Sequence, residues 1–269
     1  MEIVELFKDS LTYPTKDWNK LVIFGVLFVI SNIFSILIAF GLNLGQYVGV
    51  TILALIAAIF SFVISLFISG YSLSITGKTI TNVEGDIPEL NLLKNFIDGI
   101  KVFVLSIVYF IIPVIVASLV AFATGAFNAI TQMVPYIYTY GSGAASQMPQ
   151  ELLTTIGFSF MSVFFIGGIF FLIFGLLYQI AYAVLAETES LATAINMVDV
   201  FKKIGEIGWG NYIIWIIVFI LLSFVIALVN GIAGMIPFIG FIIGLLIISP
   251  YTSMFGARAL GLIYNESKE

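Results

Sequence analysis

The polar side chains set inside the hydrophobic runs are where this chain could do chemistry, and they are hydroxyls and amides. Ala54, Ala58, Ser61, Ser65, Ser69, Ser72 and Thr76 follow one another at steps of three or four, the spacing of a single helix face. Such a row lets a second helix approach closely and hydrogen-bond across the contact. We read Ser61, Ser65 and Ser69 as a packing face, with a hydroxyl-lined polar pathway as the alternative. Gln179, Asn32 and Asn230 are amides in or beside apolar runs. An amide turned toward protein there needs a partner, so we read interhelical hydrogen bonds, with a ligand contact as the alternative. A third set pairs tyrosine with a cation: Tyr71 with Lys78 and Tyr251 with Arg258, each seven residues apart, with Tyr178 between them followed by Leu185. Tyrosines favour the membrane interface, and long cations there reach toward head groups.

The chemistry that is missing narrows the field further. The sequence has no cysteine and no histidine, which removes thiol nucleophiles, disulfides, the usual zinc and haem ligands and imidazole acid–base catalysis. No P-loop, dinucleotide fingerprint, serine elbow or metal-type acidic cluster occurs in it. Asp199 with Lys202 and Lys203, and Asp98 with Lys94 and Lys101, stand at spacings for solvated ion pairs on a helix. Ionisable groups are confined to the ends of the apolar runs, which disfavours transport coupled through buried carboxylates. The expectation is a protein that is not an enzyme, with no catalytic, cofactor-binding or metal-ligating residue and no cofactor. A net charge of −5 argues against a nucleic-acid partner.

The elements that must position these residues follow from composition. Of 269 residues, 61% are hydrophobic and 9% charged, against roughly 45–50% and about 25% in a soluble domain. A chain this apolar buries its surface in lipid, so residues 1–269 are read as a single integral membrane domain. A spanning helix takes about 20 apolar residues, and runs of that size lie at 20–42, 47–77, 101–124, 152–186, 209–231 and 235–264. Lipid offers no backbone partners, so six transmembrane helices are expected. The long second, fourth and sixth runs are expected to tilt or kink, the kinks falling at Gly167-Gly168 and Pro250. The start, MEIVELFKDS, lacks a secretory pattern.

Charge then orients the chain. With six spans, Lys8, Lys16, Lys20, Lys78, Lys94, Lys101, Lys202, Lys203, Arg258 and Lys268 all share one side, and so does every acid except Glu151. Cationic residues are retained in the cytoplasm, which places both termini there, in a multi-pass protein of the cell membrane. Three amphipathic stretches lie on that side and are expected to rest in the membrane plane. The first carries Ile3, Val4, Phe7 and Leu11. The second carries Leu90, Leu93, Phe96, Ile97 and Ile100 behind an Asp86/Glu89 capping box with Pro88 in the first turn. The third carries Leu191, Ala194, Ile195, Val198, Phe201 and Ile204 after a Ser190 cap. Each precedes a hairpin of two spans, so the fold class is an all-α polytopic bundle with a triplicated unit, 1–86, 87–187 and 188–269. On the opposite side, 43–47 and 231–236 read as tight turns. Residues 125–151, with Tyr136, Tyr138 and Tyr140, read as a loop with interfacial tyrosines, or alternatively as a docking surface or lid.

The opening ELFKDSLTYPTKDWNKL, the YSLSITGKTI segment and the PYTSMFGARALGLIY end resemble an uncharacterised family of archaeal, largely methanogen, six-span membrane proteins known as a domain of unknown function. The resemblance implies a polytopic protein of an archaeal membrane and carries over no active-site residue. In its paired spans the chain is also similar in outline to the membrane domain of some glycerophosphodiesterases. The functional expectation is a non-enzymatic scaffold, assembly factor or subunit of a membrane complex, with a transporter or channel for a lipid-like or small neutral solute as the alternative. Expected partners are membrane lipids and a membrane protein or a second copy of the chain.

Overall fold

Every regular element of the computed structural model is helical among the residues it describes, which are 2–33, 48–236 and 238–268, with the side chains of 48–53 outside that description. This is how an apolar chain satisfies its own backbone without water. The helices are α1 (Ile3–Thr12), α2 (Trp18–Ser31), α3 (Val48–Thr81), α4 (Leu92–Ala123), α5 (Ala126–Tyr140), α6 (Ala144–Gln147), α7 (Gln150–Ser162), α8 (Gly168–Thr188), α9 (Leu191–Ile195), α10 (Met197–Ile207), α11 (Trp209–Gly234), α12 (Ile239–Ile243) and α13 (Ser249–Asn265). Five stretches are long and apolar enough to cross a membrane: Ala54–Thr81, Leu92–Ala123, Gln150–Thr188, Trp209–Gly234 and Ile239–Lys268. They mark an all-α membrane protein and coincide with the second to sixth expected runs. The first run is seen only as α2, a shorter apolar helix; its remainder and the turn at 43–47 lie outside the described residues.

Two of the long helices change their winding where kinks are expected. The segment Val163–Gly167 is π-helical and joins α7 to α8, and Gly244–Ile248 is π-helical and joins α12 to α13. Pro250 follows the second within two residues. A proline has no N–H to give the carbonyl four residues back, and a slip to the wider π turn accommodates the lost bond.

The amphipathic stretches depart from expectation in instructive ways. The second is no separate helix: α4 runs unbroken from Leu92, and its cap is Asn91, whose side chain accepts the Lys94 N–H at 3.0 Å, not the Asp86 box. Its apolar residues Leu92, Leu93 and Ile97 face outward while Asn95 and Asp98 are buried. That polarity suits a helix whose surroundings are lipid and whose polar partners are protein. The third stretch is broken at Asn196, whose side chain caps α10 by accepting from Val198 N–H. The Ser190 cap forms, accepting from Thr193 N–H. Of its expected face Ala194 and Ile204 are buried and Val198 and Phe201 are exposed, while Val200 and Ile207 are buried beside them. On α1 the inward face is Leu6, Phe7 and Ser10, with Val4 exposed. Ser10 is buried at no polar penalty because its hydroxyl donates to the Leu6 carbonyl at 2.8 Å.

The chain forms two compact units, residues 1–105 with 179–269, and residues 106–178. In the first, the core gathers Tyr13, Leu21, Phe24, Tyr71, Ile75, Ile87, Met254 and Ala257. Helix α3 packs against α2 and α13, and its approach to α4 is backbone to backbone. A Cβ on Gly70 would strike the Asn95 carbonyl, and one on Gly99 the Leu66 carbonyl. An aromatic row, Tyr212, Trp215, Phe219 and Phe255, ties α11 to α13, and Phe7 stacks on Trp215 to bring in α1.

In the second unit, the stretch expected as a loop over 125–151 is largely the helix α5, opened by Gly125 at φ 76°. It packs on α7 through Ala129, and Ser159 donates to the Thr124 carbonyl at 2.9 Å. The row Phe127, Ile130, Val134 and Ile137 supplies the helical period that makes this segment fold as it does. Phe110 meets Phe171 and Tyr178, and Tyr109 meets Tyr178.

Candidate functional site

Three helix ends of the first unit, the last turns of α3 and α8 and the first of α4, enclose a cavity of about 330 Å³. Helix α3 contributes Ser74, Gly77, Lys78 and Thr81; the segment before α4 contributes Glu89 and Asn91; α4 itself adds Lys94, Asn95 and Asp98; and α8 with its exit adds Ala186, Glu187 and Glu189. Gly77 sets the distance between α3 and α8, because a Cβ there would lie 2.7 Å from the Ala186 carbonyl oxygen.

Each carboxylate in the lining has a lysine within 3.1 Å, one of which, Lys20, is shared with Asp17 at 3.8 Å. Lys20 Nζ is 2.8 Å from Glu89 and also donates to the Ile87 carbonyl at 2.6 Å. Lys101 meets Asp98 at 3.1 Å, Lys94 meets Glu189 at 2.7 Å, and Lys268 meets Glu187 at 2.7 Å. Glu189 leaves α8 in the left-handed region, at φ 54°, a conformation uncommon for any residue but glycine. Helix α4 clamps it there: Lys94 takes its carboxylate while Lys101 donates to its carbonyl at 3.2 Å. The hydrogen bond and charge of Lys94, helped by Lys101, hold the Glu189 carboxyl below the ordinary glutamate range. Lys78 is exposed, its stem laid against Gly85. Among the described residues it has no acid or hydrogen-bond acceptor.

The span-dominated stretch 52–235 matches the model of a protein family of unknown function, DUF4013. The chain belongs to the DUF4013 family. No curated protein and no solved structure matches it. The DUF4013 match takes in all of the cavity lining and leaves out α1 and α13.

Arg258, expected as an interfacial cation, lies on α13, outside the DUF4013 match, and is turned into the protein. It is 1% exposed. Its Nε donates to Asp9 at 2.6 Å, one terminal nitrogen donates to the Val83 carbonyl at 2.7 Å, and its guanidinium stands 4.8 Å from the centre of the Tyr13 ring. Helix α1 packs against α13 and brings Asp9 to it. Burial pushes the Tyr13 hydroxyl up to about 12, against the opposing pull of Arg258.

The tyrosines expected at the interface also turn inward. Tyr71 is buried and donates to the Pro88 carbonyl at 2.9 Å; Tyr251 donates to the Leu11 carbonyl at 2.7 Å; Tyr178 lies in the ring cluster with Tyr109 and Phe110. The hydroxyl row on α3 divides. Ser61 donates to the Ser31 carbonyl at 2.5 Å, Ser72 shares a hydrogen bond with Ser253 at 2.8 Å, and Thr76 donates to the Ala257 carbonyl at 3.1 Å. Ser69 donates to Ser65 O of its own helix, while its carbonyl accepts from Tyr182 at 3.2 Å. Ser65 is exposed and turns back to the Phe62 carbonyl.

Of the amides, Asn32 ends α2 and donates to the Phe28 carbonyl and Ser31 Oγ. Asn230 lies over Gly244, and Gly240 lies against the Ala233 carbonyl, so both glycines of that pair face α11. Gln179 is half-buried. Among the described residues no acidic cluster is placed to hold a metal ion. No local spacing in the sequence marks Asp9, Tyr13 or Glu189, since their partners come from distant helices.

Proposed function

We propose that this DUF4013 protein is a non-enzymatic scaffold, assembly factor or subunit of a larger membrane complex. In this reading it crosses an archaeal cell membrane six times, starting with a span built on α2, and keeps both termini in the cytoplasm. The orientation rests on the one-sided distribution of lysine and arginine, and the archaeal setting on the resemblance of its opening segment.

The observation that carries the scaffold reading is where the hydroxyls of the spans go. Ser61, Ser72 and Thr76 bond to α2 and α13, and Gly70 and Gly99 let α3 and α4 touch at the backbone. Groups that would otherwise line a solute path are thereby engaged in helix packing. Tagged protein purified from native membranes is expected to bring down a partner in fixed stoichiometry. Solute flux through the purified protein in liposomes, with no such partner, would overturn the proposal.

A further inference from the structure

Residues 106–178 contain a single charged side chain, Glu151, and the chain has no lysine or arginine between Lys101 and Lys202. The carboxylate therefore has no counter-ion in its own unit. It lines a cavity of about 380 Å³ between α5 and α7. Each helix gives that cavity a polar pair four residues apart, Asn128 with Gln132 and Glu151 with Thr155, which is the spacing of one helix face. The buried Ala129 and Leu152 supply apolar lining beside them. The Thr155 hydroxyl donates to the Glu151 backbone carbonyl at 3.0 Å. Among the described residues neither amide side chain nor the Glu151 carboxylate has a hydrogen-bond partner. An unbalanced carboxylate in a concave site draws a cation.

The lining narrows which cation. A calcium ion takes about six to eight oxygens, several of them from carboxylates, and this lining has one carboxylate. A quaternary ammonium is held by a cage of aromatic rings, and among the described residues this lining has no ring. A primary ammonium has three N–H donors, which the Glu151 carboxylate and the amide oxygens of Asn128 and Gln132 can accept. The volume lies at the small end of ligand sites and admits the group that carries the amine. Gly125 follows the end of α4 and Glu151 stands in the first turn of α7, so the cavity lies at the ends of two stretches long and apolar enough to cross a membrane. That is the depth of lipid head groups.

We propose that the cavity between α5 and α7 binds a primary ammonium group, with Glu151 as its counter-ion and Asn128 and Gln132 as further acceptors. The site is independent of whether the protein is a scaffold. The full-length protein in detergent would be titrated with phosphatidylethanolamine, phosphatidylcholine and free ethanolamine and followed by native mass spectrometry. Phosphatidylethanolamine is expected to bind more tightly than phosphatidylcholine. Glu151→Gln, at an exposed position, is expected to weaken that binding roughly tenfold, the scale of one charge-assisted hydrogen bond. Glu5→Gln, on α1 and outside the cavity, is expected to leave it unchanged.

Gln132→Lys brings an ammonium of the protein's own to the lining and should also weaken binding about tenfold, which keeps the test open should Glu151→Gln fold poorly. Displacement of the lipid by free ethanolamine, with the same Glu151 dependence, would support the ammonium site and assign it to a soluble amine; no displacement supports the lipid source. A carboxylate in the first turn of a helix also favours the helix dipole. Were that the whole role of Glu151, Glu151→Gln would lower thermal stability and leave binding as it was. Phosphatidylethanolamine binding unchanged by Glu151→Gln and Gln132→Lys, phosphatidylcholine held as tightly as phosphatidylethanolamine, or no binding of either amine would overturn the proposal.

Discussion

At the scale of single residues, Arg258 is a buried charge that ties distant segments together. It joins α13 to Asp9 of α1 and to the Val83 carbonyl beyond α3. Removing one partner of a buried pair costs about 3–5 kcal/mol, because the other charge is left without compensation. Asp9 is a third exposed and also has Lys16 at 3.7 Å, so Arg258→Met is expected at the low end, about 3 kcal/mol, read from the unfolding midpoint in detergent. Tyr13 makes a contrasting prediction. Its hydroxyl is buried with no hydrogen-bond partner among the described residues, so Tyr13→Phe keeps the ring under Arg258 and removes only a desolvated group. Stability at neutral pH should stay within about 0.5 kcal/mol of wild type or rise. Alkali should separate the two proteins. Tyr13 titrates at about 12 when folded and near 10 when unfolded, so its protonated form stabilises the fold fully below pH 10, and that contribution is lost as pH rises toward about 12. The wild type should therefore lose stability relative to Tyr13→Phe across that window; parallel alkaline curves would refute the assignment.

At the scale of elements, the face a helix presents decides what a substitution does. Ser65 and Gly70 lie on the same helix five residues apart, yet one is exposed and the other touches a backbone. Ser65→Leu is expected to change stability by no more than about 0.5 kcal/mol, whereas Gly70→Ala must push α3 and α4 apart at about 1–3 kcal/mol. Thermal unfolding of the two variants side by side checks the contrast. Helix α5 makes a second prediction. Its row Phe127, Ile130, Val134 and Ile137 is exposed, while Asn128 and Gln132 face a cavity of about 380 Å³ shared with Glu151 and Thr155. An amphipathic helix in this state lies with its apolar row in lipid. Tryptophan placed at Ile130 or Ile137 should be quenched by brominated lipid, and tryptophan at Gln132 should not.

At the scale of the whole molecule, the proposed topology is tested by access from the two sides of the membrane. Ser142 lies in the short turn after α5, and Ser190 and Ser267 lie at ends on the lysine-rich side. A cysteine at Ser142 should react with an impermeant maleimide in intact cells, and one at Ser190 or Ser267 only after lysis. Labelling of Ser190 in intact cells would reverse the orientation. Tyr71, in 1–86, bonds to Pro88 at the opening of the next stretch, and Tyr251, in 188–269, bonds to Leu11 in the first. Each of these tyrosines thus ties its helix to a segment outside that helix.

What was legible without a structure is what depends on neighbours along the chain. Hydropathy over about 20 residues marks a span wherever it occurs, so the all-α membrane class and the stretches at α3, α4, α7 with α8, α11, and α12 with α13 could be read directly. The breaks near Gly167 and Pro250 are local too, since glycine and proline alter the helix they sit in. The faces turned inward were not legible, because they depend on which helix arrives from elsewhere. Asp9 reaches Arg258 across 249 residues, Lys94 reaches Glu189 across 95, and neither pair leaves a periodic trace in either segment. The same limit explains why Ser65 and Thr76, alike in the row, part company in the fold: a hydroxyl becomes a packing group only where tertiary structure places an acceptor within its reach.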